Sequence, residues 1–140
     1  MTKLTVADYP LAETRPGQVR GKRGKTLSEI SLDAVLDGSI GMEDLRITPA
    51  ALQAQAGIAK AAGRPTLAQN FERAAELVDV PQDFIMQVYE LLRPGRAASK
   101  QPLLDAAKTL RQTYGASRMA GFVEEAAEVY ERRGLFTFRY

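Results

Sequence analysis

The chain has 140 residues, of which 45% are hydrophobic, and this length fits one domain with its own core. It contains no cysteine and no histidine, which excludes thiolate nucleophiles, disulfides, Cys/His zinc sites and imidazole acid–base catalysis within this chain. The net charge is +2, and the excess of bases lies in one segment, because residues 15–25 hold five bases and no acid. No run of 18 apolar residues is present, so we expect no membrane-spanning helix.

Residues 1 to about 25 contain two prolines, three glycines and few large apolar side chains. This composition predicts an extended or disordered N-terminal arm, because it cannot support a helix of any length. Tyr9, Pro10 and Leu11 form a small apolar patch within the arm. The patch can dock on a partner or on the body of the chain itself, or the arm can stand free, and the sequence leaves these alternatives open.

A short helix is predicted after the arm. Ser31 is a plausible N-cap, with Ser28 as a rival, and the apolar face of the helix consists of Leu32, Val35 and Leu36. Residues 44–48, DLRIT, are compatible with a short extended piece.

Thr48 and Pro49 predict the start of a longer helix that runs to about Ala62. Its apolar face is narrow and rich in alanine, so another helix can approach it closely, from this chain or from another subunit. The arm and this helix, 49–62, are therefore our two candidates for a subunit interface.

The segment 67–96 carries the clearest helical pattern. Apolar residues recur at a period of 3.6 on both sides of Pro81, which predicts helices over 65–79 and 82–92. Pro81 cannot continue the first helix but can begin the second, where its missing N–H has no partner to lose. We predict that the centre of the core is formed by Phe71, Phe84, Ile85 and Leu91.

Two further helices are predicted after the turn at residues 93–96. Ser99 is the expected cap of the first, which ends at Gly115, and the second covers 119–133. The last residues, 135–140, read LFTFRY and form a tail.

The predicted fold class is all-α. We expect a compact bundle of about five to six helices with an extended N-terminal arm, since short loops join neighbouring helices in antiparallel packing. The predicted division is an arm over 1–25, a helical domain over 26–134 and a C-terminal tail over 135–140.

A nucleotide site is not supported by the sequence. Gly24-Lys25-Thr26 is similar to the end of a phosphate-binding loop, but that motif needs a glycine five positions before Gly24, where Val19 stands. No apolar strand precedes the segment either, so the turn that aims N–H groups at a phosphate is not prepared.

The basic cluster of the arm permits an alternative function. Its members, Arg15, Arg20, Lys22, Arg23 and Lys25, could contact nucleic-acid phosphates or an acidic protein surface, or could remain solvated. The cluster lacks the interleaved aromatic residues that stack on bases. A helical nucleic-acid-binding module that uses Arg15–Lys25 is therefore kept only as the alternative.

The acidic residues Glu124, Glu125 and Glu128 could in principle form a carboxylate site. The simpler interpretation is a solvated helix face on which Glu128 and Arg132 form an i,i+4 ion pair. We therefore assign no catalytic, cofactor-binding or metal residue to this chain, and its profile fits an accessory subunit or interaction module.

Several segments together resemble a known family. LAQNFERAAELVDVP (67–81) and YELLRPGR (89–96) are similar to the small (gamma) subunit of adenosylcobalamin-dependent diol and glycerol dehydratases. The segments 8–17, 24–38, 44–49 and 122–134 agree in order and spacing. The C-terminal tail, LFTFRY, departs from the more basic and polar ending of that family.

The resemblance implies a function for the assembly rather than for this chain alone. Such enzymes convert propane-1,2-diol to propanal, or glycerol to 3-hydroxypropanal, with loss of water. They are dimers of heterotrimers, in which the large (alpha) and medium (beta) subunits hold the adenosylcobalamin. The small subunit packs on the large one and stabilises the complex. No nucleic acid, membrane or metal is implied for this chain, and its location is cytoplasmic, with a bacterial microcompartment as an open possibility.

Overall fold

The computed structural model describes residues 3–137 and divides the chain into two compact units. The first unit ends at Val78 and the second begins at Asp79. Across the described residues the secondary structure consists of eight α-helices and three short 3-10 helices, and the β-pairing is one isolated bridge between Arg20 and Thr26. The predicted all-α class is confirmed, whereas the predicted boundaries at residues 25 and 134 stay predictions.

The first unit contains five α-helices. They are α1 (Leu11–Thr14), α2 (Leu32–Leu36), α3 (Met42–Leu45), α4 (Pro49–Ala61) and α5 (Pro65–Leu77). The 3-10 helices of this unit are Val6–Asp8, Pro16–Gln18 and Leu27–Glu29.

Two predicted helix starts in this unit are confirmed by their caps. Ser31 Oγ accepts the N–H of Ala34 at 3.2 Å and begins α2. Thr48 Oγ1 accepts the N–H of Ala51 at 3.1 Å and begins α4. Both hydroxyls satisfy an amide of the first turn, which has no carbonyl partner inside the helix.

The helices α4 and α5 pack against each other. Ala56 and Ala59 of α4 are buried with Ala68 of α5, and Leu67 and Phe71 pack against this cluster. The alanine-rich face of α4, predicted as a candidate subunit interface, is therefore occupied by α5 of the same chain. Small side chains on both helices allow the backbones to approach closely, which is why the face needs no outside partner.

The arm docks on the body of the chain rather than standing free. The 3-10 helix Val6–Asp8 packs against α4, and the side chain of Leu4 lies beside Gly57. The longest helix before residue 25 is the four-residue α1, in agreement with the prediction that no long helix forms there. The segment is nevertheless folded into turns, because hydrogen bonds of Thr5 and Thr14 close them.

The second unit contains α6 (Gln82–Leu92), α7 (Gln101–Tyr114) and α8 (Ser117–Arg132). The helix α7 packs against both α6 and α8. Gly115 ends α7 with φ of +65°, a left-handed conformation that favours glycine, and the N–H of Ala116 then donates to the carbonyl of Leu110 at 2.9 Å.

The centre of the core differs from the prediction. Phe71, Phe84, Ile85 and Leu91 are only partly buried. The largest fully buried side chains belong to α7 and α8 and are Leu103, Leu110 and Val123. Alanines buried around them, such as Ala107, Ala120 and Ala127, keep the helices close. Phe71 instead packs at the edge of the alanine cluster of α4 and α5, and the ring of Phe84 lies 5.5 Å from that of Tyr114.

Three local predictions need correction. Residues 44–48 are not all extended, because Asp44 and Leu45 belong to α3. The Asp44 carboxylate accepts the N–H of Gly41, the N-cap of that helix. The helix α7 begins after Lys100 and is not capped by Ser99. The helix α8 begins two residues before the predicted Met119.

The start of the C-terminal tail lies against the second unit. The N–H of Gly95 donates to the carbonyl of Leu135 at 3.3 Å, and the rings of Tyr130 and Phe136 lie 6.2 Å apart. The rest of the tail, residues 138–140, lies outside the described residues.

Candidate functional site

The bases of residues 15–25 bind other groups of the first unit, and four of the five pair with acids. Arg20 donates to the carbonyls of Gly17 and Gly24, at 3.0 and 2.9 Å. The other four bases pair with acids: Arg15 with Asp8 at 2.6 Å, Lys22 with Glu43 at 3.6 Å, Arg23 with Asp44, and Lys25 with Glu29 at 3.6 Å. The bases therefore close loops of the chain, and no observation on residues 3–137 supports the nucleic-acid alternative.

Asp44 is the buried centre of this arrangement, since its side chain is 0% exposed. Arg23 Nε donates to Asp44 Oδ1 at 2.9 Å, and Arg23 Nη2 donates to Oδ2. The N–H of Gly41 donates to Oδ2 at 2.9 Å. The paired Arg23 guanidinium, followed by the Gly41 amide, lowers the pKa of Asp44 to about 2.

Asp8 ties the arm together in a similar way. Its carboxylate accepts the N–H and the hydroxyl of Thr5, at 2.7 and 3.0 Å, and the charge of Arg15 lies against it. These hydrogen bonds, first of all that of the Thr5 amide, hold the pKa of Asp8 below its usual value. The carboxylate is a structural acceptor that closes the Val6–Asp8 turn.

We expect the first unit to lose stability in acid. Asp8, Glu29 and Asp44 all have a lowered pKa in the folded chain. Such carboxylates contribute their full stabilisation above their unfolded pKa of about 4, and this is lost as the pH falls toward the folded values. The free energy of unfolding in urea should therefore fall steeply between about pH 4 and pH 2. The variant Asp44→Asn should be less stable than the wild type at pH 6 and should show a flatter profile; an unchanged profile would contradict the assignment.

The apparent phosphate loop at Gly24-Lys25-Thr26 is a closed turn. The N–H of Gly24 donates to the carbonyl of Gly21 at 2.9 Å, and the N–H of Thr26 donates to Glu29 Oε2 at 2.8 Å. Lys25 is paired with Glu29. The amides of Gly24 and Thr26 therefore already have partners within the chain.

The acidic group on α8 is made of surface ion pairs. Glu124 accepts two hydrogen bonds from Arg111, one of them at 2.9 Å, and Arg111 lowers the pKa of Glu124. Glu128 lies 3.5 Å from Lys100 Nζ, so its partner is Lys100 and not the predicted Arg132. A carboxylic acid that acts as a general acid needs a raised pKa, whereas the pKa of Glu124 is lowered. This group therefore does not support a carboxylate enzyme.

The two short helices α2 and α3 carry exposed apolar side chains, which the sequence analysis did not predict. Leu32, Val35 and Leu36, which form the apolar face of α2, are 73%, 45% and 76% exposed. Met42 and Leu45 of α3 are 70% and 54% exposed. We call these five side chains the α2–α3 surface. The sequence signal for this exposure is the short length of α2 and α3, because helices of 5 and 4 residues offer little surface on which other elements can pack.

The pairing of Arg23 with the buried Asp44 was not predicted either, since Arg23 was assigned to the arm and Asp44 to an extended piece. The available signal was the acid three positions after Gly41, where a carboxylate can bind the amide that opens a helix.

The described part of the chain contains neither a cluster of metal-binding residues nor a membrane-spanning helix. Between residues 3 and 137, no three acidic side chains are grouped so that they could hold a metal ion. None of the helices there combines the length and hydropathy needed to cross a bilayer.

Comparison with known proteins identifies the family. The family model described as Dehydratase small subunit matches residues 4–137. The propanediol dehydratase small subunit of Salmonella typhimurium is 48% identical over 128 residues, which cover 91% of this chain and 73% of that protein. The protein of the same name from Citrobacter freundii is also 48% identical over 128 residues, covering 91% of this chain and 74% of the relative. The resemblance found in the sequence is therefore confirmed, and the chain belongs to the dehydratase small-subunit family.

Proposed function

We propose that this chain is the small, non-catalytic subunit of an adenosylcobalamin-dependent dehydratase that converts propane-1,2-diol to propanal and water. Glycerol, converted to 3-hydroxypropanal, is the second substrate class of the proposal. The family match over residues 4–137 carries the proposal, and the relatives' names favour the diol over glycerol. The chain contributes by packing on the large subunit and stabilising the assembly.

The partners follow from the same proposal. Membership of a small-subunit family implies partner subunits. We propose that they are a large (alpha) and a medium (beta) subunit, arranged with this chain as a dimer of heterotrimers. The exposed α2–α3 surface supports a need for partners, because apolar side chains gain free energy when they leave water.

The proposed cofactor, adenosylcobalamin, belongs to the assembly and not to this chain alone. We place the cofactor between the large and medium subunits, as the family resemblance implies, and assign no residue of this chain to it. When bound there, it supplies the radical chemistry that no side chain of this chain provides.

The decisive experiment is reconstitution of the dehydratase with and without this chain. The large and medium subunits should be purified in both forms, and the assembly mass and diol turnover measured with added adenosylcobalamin. We expect lower turnover and a smaller or less soluble assembly without the chain, and recovery of both when it is added back. Full turnover and an unchanged mass without it would contradict the proposal.

The non-catalytic assignment has its own test. The variants Glu124→Gln and Glu128→Gln should leave kcat unchanged, because both carboxylates only form exposed ion pairs, which contribute about 0–1 kcal/mol to stability. Loss of turnover with intact assembly would instead favour a carboxylate mechanism in this chain.

We propose a cytoplasmic location. Cell fractionation with antibodies against this chain distinguishes a freely diffusing complex from one that sediments within a microcompartment shell.

A further inference from the structure

We infer that the α2–α3 surface docks on another subunit of the dehydratase, in an apolar groove whose rim carries lysine or arginine. This inference rests on the proposed function and adds to it the part of the chain that makes the contact and the chemistry of the surface that receives it.

The first observation is exposure combined with pattern. Leu32 and Leu36 lie one helical turn apart, with Val35 beside them, so they form a single face of α2. A face of this kind is normally buried, yet Leu32 and Leu36 are 73% and 76% exposed. Adjacent apolar side chains that remain in water mark an interaction site more often than single exposed ones do.

The second observation is that the surface is held in place. The loop between the two helices is anchored by Ile40, which is 4% exposed and whose N–H donates to the carbonyl of Ala34 at 3.0 Å. The Asp44–Arg23 pair fixes α3, and Arg23 also donates to the carbonyl of Ser39 at 3.1 Å. A surface held in one conformation before binding loses less entropy on binding.

The third observation is charge, and it identifies the kind of occupant. Residues 26–41 contain three acids, Glu29, Asp33 and Asp37, and no base. Glu29 is already paired with Lys25, whereas Asp33 lies on α2 between the exposed leucines. Asp37 follows Leu36 at the C-terminal end of the helix, where its carboxylate accepts the N–H of Ser39 at 2.8 Å. A partner with bases around its groove complements this face. A second copy is disfavoured, since a twofold contact of α2 with itself would bring these acids together.

The experiment compares variants in binding to the purified large and medium subunits, measured by biolayer interferometry. The double variant Leu32→Ser/Leu36→Ser should bind about tenfold or more weakly than the wild type, because both side chains lose their apolar contact. The matched control is Met86→Ser/Tyr89→Ser, on α6, whose side chains are 48% and 55% exposed. Circular dichroism should show wild-type helix content for both variants, since the substituted side chains are exposed.

The charge of the surface has a separate matched pair. Asp33 and Asp83 each occupy the second position of a helix, α2 and α6 respectively. Asp33→Lys should weaken binding several-fold and reduce its salt dependence, whereas Asp83→Lys should leave both unchanged.

The possible outcomes distinguish a failure of the docking surface from a failure of the proposed subunit function. Wild-type binding together with equally tight binding by Leu32→Ser/Leu36→Ser would overturn the docking surface and leave the subunit function standing. No binding by the wild type would contradict the proposed function and the docking with it. A dimer of the isolated chain that the double variant converts to a monomer would assign the surface to a second copy and overturn the inference.

Discussion

Replacing Leu103 by alanine should destabilise the second unit by about 2–5 kcal/mol. Leu103 is 0% exposed and lies on α7, the helix that packs against both of its neighbours in this unit. The substitution removes buried methyl groups and leaves a cavity that closely packed helices cannot fill. The folded state therefore loses the transfer free energy of these groups and is further destabilised by the cavity. Urea unfolding followed by circular dichroism measures the change in the free energy of unfolding.

The matched control for this prediction is Leu36→Ala. It makes the same chemical change at a leucine that is 76% exposed, and should alter the free energy of unfolding by no more than about 0.5 kcal/mol. Equal destabilisation by the two variants would mean that Leu103 does not lie in the core as described.

Replacing Gly21 by alanine should destabilise the first unit by about 1–3 kcal/mol, the usual cost of forcing an extra carbon into a packed site. A Cβ at this position would lie 2.8 Å from the backbone carbonyl oxygen of Asp44, closer than such atoms can approach. Backbone cannot rotate away as a side chain can, so the loop of residues 20–26 must shift from α3. The shift would lengthen the hydrogen bonds between Arg23 and Asp44, and thermal unfolding should detect it as a lower Tm.

Gly17→Ala is the control for this effect. A Cβ at Gly17 meets no atom within 4 Å, so that variant should be neutral or more stable by up to about 1 kcal/mol, through the lower entropy of the unfolded chain. If Gly21→Ala were as stable as Gly17→Ala, the close approach of the loop to α3 would be refuted.

Helix positions could be predicted from local sequence, because their signals are local. Thr48-Pro49 marked the start of α4 and Ser31 that of α2, through hydroxyls that bind amides three residues away. The helical period on both sides of Pro81 likewise placed α5 and α6 within two residues of their ends.

Burial could not be predicted in the same way, because it depends on which faces meet. The stripes that contain Phe71 and Phe84 are as regular as the one that contains Leu103, yet only Leu103 is fully buried. The sequence shows an apolar face on α2 but, apart from the short length of that helix, carries no mark that distinguishes a face for the core from a face for a partner. The family, by contrast, was recognisable because many short segments agree in order, and this does not require knowing their contacts.

The pairing of Arg23 with Asp44 has a consequence for comparing members of this family. Arg23 stands in a segment that composition alone would describe as a solvated basic tract, where one base can replace another freely. Its guanidinium instead forms a bidentate ion pair with the Asp44 carboxylate, which is 0% exposed, and a lysine cannot form the same two hydrogen bonds. Substitutions at positions 23 and 44 should therefore co-vary across relatives that keep this loop.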